Sequence, residues 1–542
     1  MRVVVIGYCP VTTTQLARFA KLIRTPSDAD RLARALHGSF HLAVSVNGKT
    51  RTQGSLTGLR RLFYTCLGRV PVVSDRADVL ASMTGASINE EVLATRVACG
   101  NMLPSPLGEQ SLWAGVSAVP PDHYVVQTPN RVREVRWWQP PAPENSLDHG
   151  AAAVREALTA GMVGRRPREG RLSADLSGGL DSTSLSFLAA RGSPDLLIFR
   201  WGEAEAGNDD AIYASHAARS LPHAESLVIP QRELPTIFSN PEDHVDTENP
   251  YLFSRTLART RFSARRLADK GSRWHLAGHG ADELFYKFPG YLHRLLRRRP
   301  WTAIQHLRSH RSLSRWPLAA SISELTRSRD IAQWWRDQAS GLTGAALPSR
   351  FPPLEWGFVP LRSQAWVSDE AVSAAQAALR RAADMAQPLA ADRGQHQFLQ
   401  ALRTNGPAYG QMVRVFAESG IQLQLPYLDD RTVEAALAVR LDERATPRAY
   451  KPLLATSMRG IVPDEILRRS TKGEFSEDVR IGLRQNLPAV LDVFTHSALA
   501  ARGLIDTKVL RKQLLEPQAD TSRHIALEHL LGCETWLRAT TK

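Results

Sequence analysis

The sequence predicts an α/β protein in which a β-rich N-terminal domain precedes a longer domain built on a doubly wound parallel sheet. Short runs typical of β-strands dominate before residue 140. Strand-like and helix-like segments then alternate from residue 172 to residue 277, which is the pattern of β-α units around a parallel sheet. Beyond residue 284 the pattern is mostly helical. We therefore predict two domains, residues 1–140 and 145–542, on either side of a proline-rich linker at residues 140–143.

The individual elements follow from apolar runs and their spacing. The predicted strands of the N-terminal domain lie at residues 3–6, 40–46, 70–73 and 123–127. In the second domain the predicted strands lie at residues 172–176, 196–201, 226–229 and 273–277. The predicted helices lie at residues 183–191, 210–220, 255–270, 372–385 and 431–439. Parallel strands joined in this way place their carboxyl ends at one edge of the sheet, where ligands bind.

The amino-acid composition is that of a globular protein and argues against a disordered or membrane-spanning chain. Of the 542 residues, 43% are hydrophobic and 23% are charged, which is typical of an ordinary globular protein rather than a disordered one. No apolar run approaches the ~18 residues of a membrane span, and the apolar residues 1–7 are too few for a signal peptide. We therefore expect a cytoplasmic protein with no membrane span. The four cysteines lack CxxC spacing, so neither a zinc site nor a disulfide framework is indicated.

The net charge of +14 favours acidic partners, and much of the local excess lies in the arginines at positions 294, 297, 298 and 299. Nucleic acid is the obvious alternative partner. However, leucine and tryptophan recur at helical spacing in this region, and no nucleic-acid motif is present. We interpret the region as an amphipathic helix pair with a solvated basic face and expect no nucleic-acid partner. A partly basic cleft between the two domains is our prediction for the substrate site.

The most informative segment follows the first strand of the predicted parallel sheet. Ser177, Gly178 and Gly179 form a glycine-rich turn, and Asp181 and Ser182 open the next helix. A strand that breaks into such a turn points backbone N–H groups and the positive end of the helix dipole at one spot, which suits a phosphate. A carboxylate cannot bind phosphate directly, so we expect Asp181 to hold Mg²⁺. The segment therefore predicts a site for ATP with Mg²⁺ as its metal.

A second glycine turn repeats this logic at the end of the strand at residues 273–277. Gly278, His279 and Asp282 follow that strand closely. Taken alone, Asp282 would be a helix N-cap. Together with the first turn, it predicts that Asp181 and Asp282 hold Mg²⁺ between the phosphates of one ATP, with Gly278 beside the nucleotide.

Four segments together resemble the synthetase domain of the asparagine synthetase family in order and spacing. They are residues 177–182, 278–285, 425–429 and 469–475. That family belongs to the ATP pyrophosphatases, which activate a carboxylate as its acyl-adenylate and release pyrophosphate. Residues 38–44, 112–123 and 137–138 resemble the glutaminase-type N-terminal domain of the same family, which implies an Ntn-hydrolase-like fold.

The N-terminal domain departs from the family pattern at its nucleophile. Glutamine-dependent members carry a cysteine directly after the initiator Met, and its thiolate releases ammonia. Arg2 stands there in this sequence, and we interpret Cys9 as a small buried hydrophobe. We therefore expect an inactive glutaminase-like domain and an amine other than ammonia from glutamine.

Relatives with the same loss include β-lactam synthetases and the cyclases that close lasso peptides. Residues 201–210, 289–293 and 306–318 are most similar to the actinobacterial lasso peptide cyclases, which are macrolactam synthetases. This resemblance implies an enzyme that adenylates an Asp or Glu side chain of a precursor peptide, whose N-terminal amine then forms the isopeptide bond. It implies a leader-recognition protein and a leader peptidase as partners. A small-molecule amide or β-lactam synthetase and a catalytically inactive peptide-binding partner are the alternatives.

The resemblance also assigns roles to single residues. Lys472 matches the family's catalytic lysine, and Lys451 resembles an upstream lysine that helps to bind phosphates. His279 stands where asparagine synthetases place Glu and β-lactam synthetases place Tyr, so we expect it to accept the amine's proton rather than only orient a substrate. The acidic partner of that residue is not evident, and Tyr409 and Glu418 are its candidates.

Overall fold

The computed structural model describes residues 1–100, 102–202, 208–345, 350–358, 360–469, 476–516 and 522–541. Thirteen strands occur in these ranges: β1 (Arg2–Tyr8), β2 (Ser39–Val46), β3 (Lys49–Gln53), β4 (Phe63–Leu67), β5 (Val70–Ser74), β6 (Ser117–Ala118), β7 (His123–Thr128), β8 (Arg131–Arg136), β9 (Arg171–Asp175), β10 (Leu197–Trp201), β11 (Glu225–Ile229), β12 (Ser272–Leu276) and β13 (Gln422–Gln424).

The α-helices of the same ranges are α1 (Thr13–Ala20), α2 (Ala29–Ala35), α3 (Ala77–Thr84), α4 (Glu90–Cys99), α5 (Leu147–Met162), α6 (Leu180–Ala190), α7 (Asp210–Arg219), α8 (Leu257–Asp269), α9 (Ala281–Phe285), α10 (Leu292–Arg298), α11 (Pro300–Ser314), α12 (Leu318–Thr326), α13 (Ile331–Gly341), α14 (Asp369–Asp384), α15 (Arg393–Ala417), α16 (Asp430–Leu437), α17 (Leu441–Arg444), α18 (Pro452–Ser457), α19 (Asp464–Leu467), α20 (Ser476–Val493), α21 (Ala498–Ala501), α22 (Thr507–Leu515) and α23 (Ser522–Thr540).

The N-terminal region is β-rich, as the sequence predicts. Its strands form a five-stranded antiparallel sheet in the order β1-β2-β3-β7-β8 and a three-stranded sheet in the order β5-β4-β6. The pattern of apolar runs misses β3, whose residues are Lys, Thr, Arg, Thr and Gln, because a polar strand is specified by its two neighbours rather than by its own hydrophobicity. The Ntn-hydrolase assignment of this region stays a prediction.

The second sheet is parallel and doubly wound. Its order is β11-β10-β9-β12-β13, so the chain runs from the central strand β9 to one edge, then returns and continues to the other edge. The four strands predicted for it are confirmed to within one residue at each end. Helix α6 begins at Leu180, three residues before the predicted start, because Gly179 already takes the N-cap position. Asp181 therefore lies in the first turn of a helix.

Two large hydrophobic clusters cross the predicted boundary between the domains. The first joins Leu42 and Tyr124 of the N-terminal sheet to Leu276 of the parallel sheet. The second joins Leu93 of α4 to Trp536 of α23. The proline-rich linker is fixed to the second part of the chain, since Gln395 Nε2 donates to the Pro141 carbonyl at 2.7 Å. The domain boundary itself stays a prediction.

The basic region forms the expected pair of helices, α10 and α11. Leu292, Leu295 and Leu307 are buried, whereas Arg297 and Arg298 are exposed. Trp301 recurs at helical spacing with these leucines and is predicted to share their apolar face, and this is wrong: its side chain is 79% exposed, although Ala303 in the same turn of α11 is buried. Among the residues described, no helix has the length and apolar character that a bilayer crossing requires.

Candidate functional site

The first glycine turn connects β9 to α6 and is held closed by its own hydroxyl groups. Ser177 Oγ and Ser182 Oγ lie 2.9 Å apart, and the Ser177 N–H donates to Ser182 Oγ at 3.1 Å. Gly178 has φ +91°, and a Cβ there would collide with the Asp210 carbonyl at the start of α7. Only glycine fits this position, because the turn packs directly against the first residues of α7. The turn also leads into the N-terminus of α6, an arrangement that suits a phosphate.

Arg469 binds the backbone of this turn, a role that was not predicted from the sequence. Its guanidinium is buried, donates to the Gly178 carbonyl at 2.9 Å and forms ion pairs with Asp209 and Asp210. The arginine begins a segment that the family resemblance singles out, so its place in that segment was the available signal. Lys472, the predicted catalytic lysine of the same segment, lies outside the described residues.

The second glycine turn, after β12, touches the first. A Cβ on Gly278 would lie 3.1 Å from both Asp181 Cβ and the Ser182 nitrogen. The Tyr427 hydroxyl, from the segment after β13, donates to the Asp181 carbonyl at 2.9 Å. Neighbouring parallel strands thus bring the two predicted loops into direct contact at the carboxyl edge of the sheet.

Lys451 lies between the two aspartates of these loops. Its Nζ is 2.5 Å from Asp181 Oδ2 and 2.6 Å from Asp282 Oδ1, and its side chain is only 1% exposed. Burial opposes the charge on this ammonium, but the carboxylates of Asp181 and Asp282 outweigh burial and raise the pKa of Lys451 above its ordinary value. The two carboxylates therefore converge on one point that accommodates positive charge.

The backbone of Lys451 is itself unusual. The residue has φ +42° and ψ 55°, a left-handed conformation that costs a side-chain-bearing residue free energy, and it precedes Pro452 at the first position of α18. The ion pairs with Asp181 and Asp282 hold the residue in this conformation. In the described part of the chain, no group of three or more His, Cys, Asp or Glu side chains is arranged to hold a metal ion.

His279, the predicted proton acceptor, stacks on Tyr409 of the long helix α15. The ring centroids are 4.9 Å apart with an interplanar angle of 27°. The Tyr409 hydroxyl donates to Glu283 Oε1 at 2.8 Å. Burial lowers the pKa of His279 and raises the pKa of Glu283. The ring of His279 is therefore neutral at pH 7 and can accept a proton.

Of the two candidate partners of His279, the structure places only Tyr409 beside it. Glu418 forms an ion pair with Arg261 at 2.8 Å near the end of α15, one residue beyond the helix. Glu283 was missed by sequence reasoning, although it directly follows Asp282 and is itself 7% exposed. Its Oε2 atom has no hydrogen-bond partner among the described residues.

None of the four cysteines, all of which lie in the described part of the chain, forms a disulfide. Burial raises the pKa of Cys9, Cys99 and Cys533 to about 12 in each case, whereas Cys66 is exposed. Cys9 is half-buried and packs against the main hydrophobic cluster. A protonated thiol is a poor nucleophile, so Cys9 does not resemble an activated catalytic cysteine.

Part of the basic region lines a separate cavity of about 390 Å³. Arg294, Arg298 and Arg299 form one wall, and Glu144 and Arg440 contribute to the other. Each of Arg294, Arg299 and Arg440 has an acidic neighbour within 4 Å, so the cavity is only weakly basic.

Comparison with known protein families identifies a match over most of the chain. Residues 153–538 match the family model described as asparagine synthase. This range begins in α5 and contains both glycine turns, Lys451 and the whole of α15. No curated protein matches the chain.

Proposed function

The chain belongs to the asparagine synthase family, whose members are ATP-dependent amide-forming ligases, and from this premise we propose that it closes a macrolactam in a peptide substrate. In this proposal the enzyme uses ATP and Mg²⁺, adenylates an Asp or Glu side chain of the precursor peptide and joins it to the peptide's N-terminal amine. The convergence of Asp181 and Asp282 on one cationic point between two glycine turns is the observation that supports the use of ATP and Mg²⁺ in this proposal.

The residues present fit an ATP-borne Mg²⁺ ion. Mg²⁺ usually takes one or two protein carboxylates and completes its coordination with phosphate oxygens and water. Asp181 and Asp282 supply two carboxylates at a point where Lys451 shows that a cation is stable. Bound Mg²⁺ would neutralise the charge that develops on the departing pyrophosphate.

Different residues of the chain serve the successive steps of the proposed reaction. The turn at Ser177, Gly178 and Gly179 binds phosphate through backbone N–H groups, and Lys451 and Lys472 add positive charge. The substrate carboxylate forms a bond to the α-phosphorus of ATP as the bond from that phosphorus to pyrophosphate breaks. The amine next forms the C–N bond, AMP leaves with the C–O bond electrons, and the amine's proton passes to His279.

His279 is suited to that last step by its position and its charge. It follows β12 in the same turn as Gly278, and its stacking on Tyr409 fixes the ring plane. Burial lowers the pKa of His279 below its ordinary value of 6.5. The ring is therefore protonated, and lost as a proton acceptor, only at a pH lower than that value. The acid limb of the pH–rate profile should therefore lie below pH 6.5 and disappear in His279→Ala. If the acid limb of the pH–rate profile were unchanged in His279→Ala, another group would be the proton acceptor.

The protonation state of Cys9 supports the proposal that the reacting amine belongs to the substrate and is not ammonia from glutamine. Burial keeps the thiol of Cys9 protonated, and protonated thiols do not release ammonia from glutamine. Addition of glutamine should therefore leave the rate unchanged.

The proposal is tested by product analysis. With ATP, Mg²⁺ and precursor peptides that carry an acidic residue, we expect AMP, pyrophosphate and a product lighter by one water. Asp181→Asn and Asp282→Asn should each lower the rate at least ~100-fold, since each removes a charge that stabilises the transition state. The matched control is Asp195→Asn, a 73% exposed residue at the opposite end of the sheet.

Other outcomes separate the alternatives. An ADP product would exclude an adenylating enzyme. Consumption of ATP with small carboxylic acids and no peptide would indicate a small-molecule amide or β-lactam synthetase. Peptide binding with no ATP turnover, unaffected by Asp181→Asn, would indicate an inactive peptide-binding partner.

A further inference from the structure

Another carboxylate lies at the same edge of the sheet and has no role in the steps above. Asp175 is the last residue of the central strand β9, two residues before Ser177, and its side chain is 30% exposed. Asp175 thus stands at the carboxyl end of the central strand, directly before the predicted phosphate turn.

Asp175 is held in place by a chain of buried polar groups. His275 of β12 lies 3.1 Å from Asp175 Oδ1 through Nε2 and 2.8 Å from Ser173 Oγ through Nδ1. A carboxylate only accepts hydrogen bonds, so His275 Nε2 carries the proton and donates it. Ser173 Oγ is in turn 2.7 Å from Ser272 Oγ.

The ring that orients Asp175 is fixed on its faces as well. His275 is 1% exposed and stacks on Phe416 of α15, with centroids 5.4 Å apart and an angle of 5°. Three side chains and one helix therefore position a single carboxylate at the ligand-binding edge. A charged group oriented this firmly and left partly exposed is poised to contact a ligand.

The chemistry of Asp175 restricts what it contacts. A carboxylate repels the phosphates of ATP and accepts N–H or O–H donors. Ligands of such sheets lie outside the carboxyl ends of the strands, so a nucleotide with its triphosphate on the turn at residues 177–182 would place its nucleoside near the neighbouring strand ends. The donors it carries there are the exocyclic amine of adenine and the ribose hydroxyls.

We propose that Asp175 recognises the nucleoside half of ATP by accepting a hydrogen bond from the adenine amine or from a ribose hydroxyl. This inference rests on the proposed use of ATP. His275 and Ser173 are positioning residues in this arrangement, since they act through Asp175.

The test measures nucleotide affinity in the presence of Mg²⁺ by isothermal titration calorimetry, without peptide. The probes are ATP, purine riboside triphosphate, which lacks the amine, and the 2′-deoxy and 3′-deoxy forms of ATP. A hydrogen bond to a charged group is worth roughly a tenfold to hundredfold change in affinity. We expect the wild-type protein to bind one of the three analogues weaker than ATP by that factor, and that analogue identifies the donor.

Asp175→Ala should bind ATP and the same analogue with equal affinity, because the group that tells them apart is gone. Asp175→Asn, which preserves the shape of the side chain, should reduce the discrimination in the same direction and serves if the alanine variant does not fold. Asp195→Ala, at the other end of the sheet, should retain the wild-type pattern. Unchanged affinity and discrimination in both Asp175 variants would overturn the inference, while wild-type protein that binds no Mg·ATP would overturn the proposed function instead.

Discussion

At the scale of single residues, the site is organised around charges that sequence spacing alone cannot pair. Asp181, Asp282 and Lys451 are separated by 101 and 169 positions, yet they meet within 2.6 Å. The two aspartates can be identified from the sequence because each lies beside a glycine-rich turn, and such turns are recognisable from their glycines. The lysine carries no such local signal, and only its place after the family-like segments identifies it.

Removal of the charge on Lys451 should destabilise the fold. Lys451→Met keeps the apolar stem but leaves Asp181 and Asp282 facing each other, so we expect a loss of about 3 kcal/mol in the free energy of unfolding by urea titration. Lys270→Met is the control, because Lys270 is 50% exposed and lies 3.6 Å from Glu225; it should change stability by less than about 1 kcal/mol. Equal effects of the two substitutions would contradict the assignment.

The pH dependence of this difference has a defined sign. The pKa of Lys451 is raised on folding, so its stabilising contribution is complete below the unfolded value of about 10.4 and is lost as the pH rises through the folded value. The gap between wild type and Lys451→Met should therefore be constant from about pH 7 to 9 and shrink only at higher pH. A gap that already closes near neutral pH would show that the lysine is not stabilised as a cation.

At the scale of elements, helix α15 connects the parts of the site. It contributes Tyr409 to His279 and Phe416 to His275 on one side. On another side it meets the N-terminal loop at residues 54–61, where a Cβ on Gly406 would collide with the Thr57 carbonyl and one on Gly410 would lie 2.9 Å from the Leu59 carbonyl. The two glycines therefore allow α15 to pack in direct contact with the backbone of this loop.

Gly406→Ala should therefore be costly even though alanine favours helices. The methyl group meets backbone, which cannot move aside as a flexible side chain would, so we expect a loss of about 2–3 kcal/mol in the free energy of unfolding. Gly192→Ala is the control: its nearest neighbour would be 4.0 Å away, and its stability should change by less than about 0.5 kcal/mol. A neutral or stabilising effect of Gly406→Ala would show that the loop and helix are not in tight contact.

The elements also show where sequence reasoning succeeds. Strands β9 to β12 are predicted to within one residue because each contains a short group of apolar residues between polar turns, in regular alternation with the helices. Strand β13 is not predicted, since Gln422, Leu423 and Gln424 have no such pattern and are ordered by pairing with β12. The stacking of His279 on Tyr409 is equally non-local, because α15 must first pack across the sheet.

At the scale of the whole molecule, hydrophobic packing does not follow the predicted division at the proline-rich linker. Helix α4, from the N-terminal region, lies in one cluster with α14 and α23. Cross-contacts of polar groups reinforce this packing: Arg403 of α15 is 3.0 Å from Asp122, and Trp138 Nε1 donates to Glu434 at 2.8 Å. The N-terminal region, in which Arg2 stands at the position of the glutaminase cysteine, is thus still part of the core that positions α15.

The native cysteines can test whether the two regions unfold together. Cys533 of α23 is buried in this cluster and Cys99 of α4 is partly buried against it, and burial raises the pKa of both thiols to about 12. Both should therefore react with a maleimide much more slowly before unfolding than after it. We expect their labelling, followed by peptide mass spectrometry across a urea series, to share one midpoint. The exposed Cys66 should react without urea and serves as the reagent control. Labelling of Cys99 at a clearly lower urea concentration than Cys533 would show that the N-terminal region opens first and that the shared cluster does not bind the two regions into one cooperative unit.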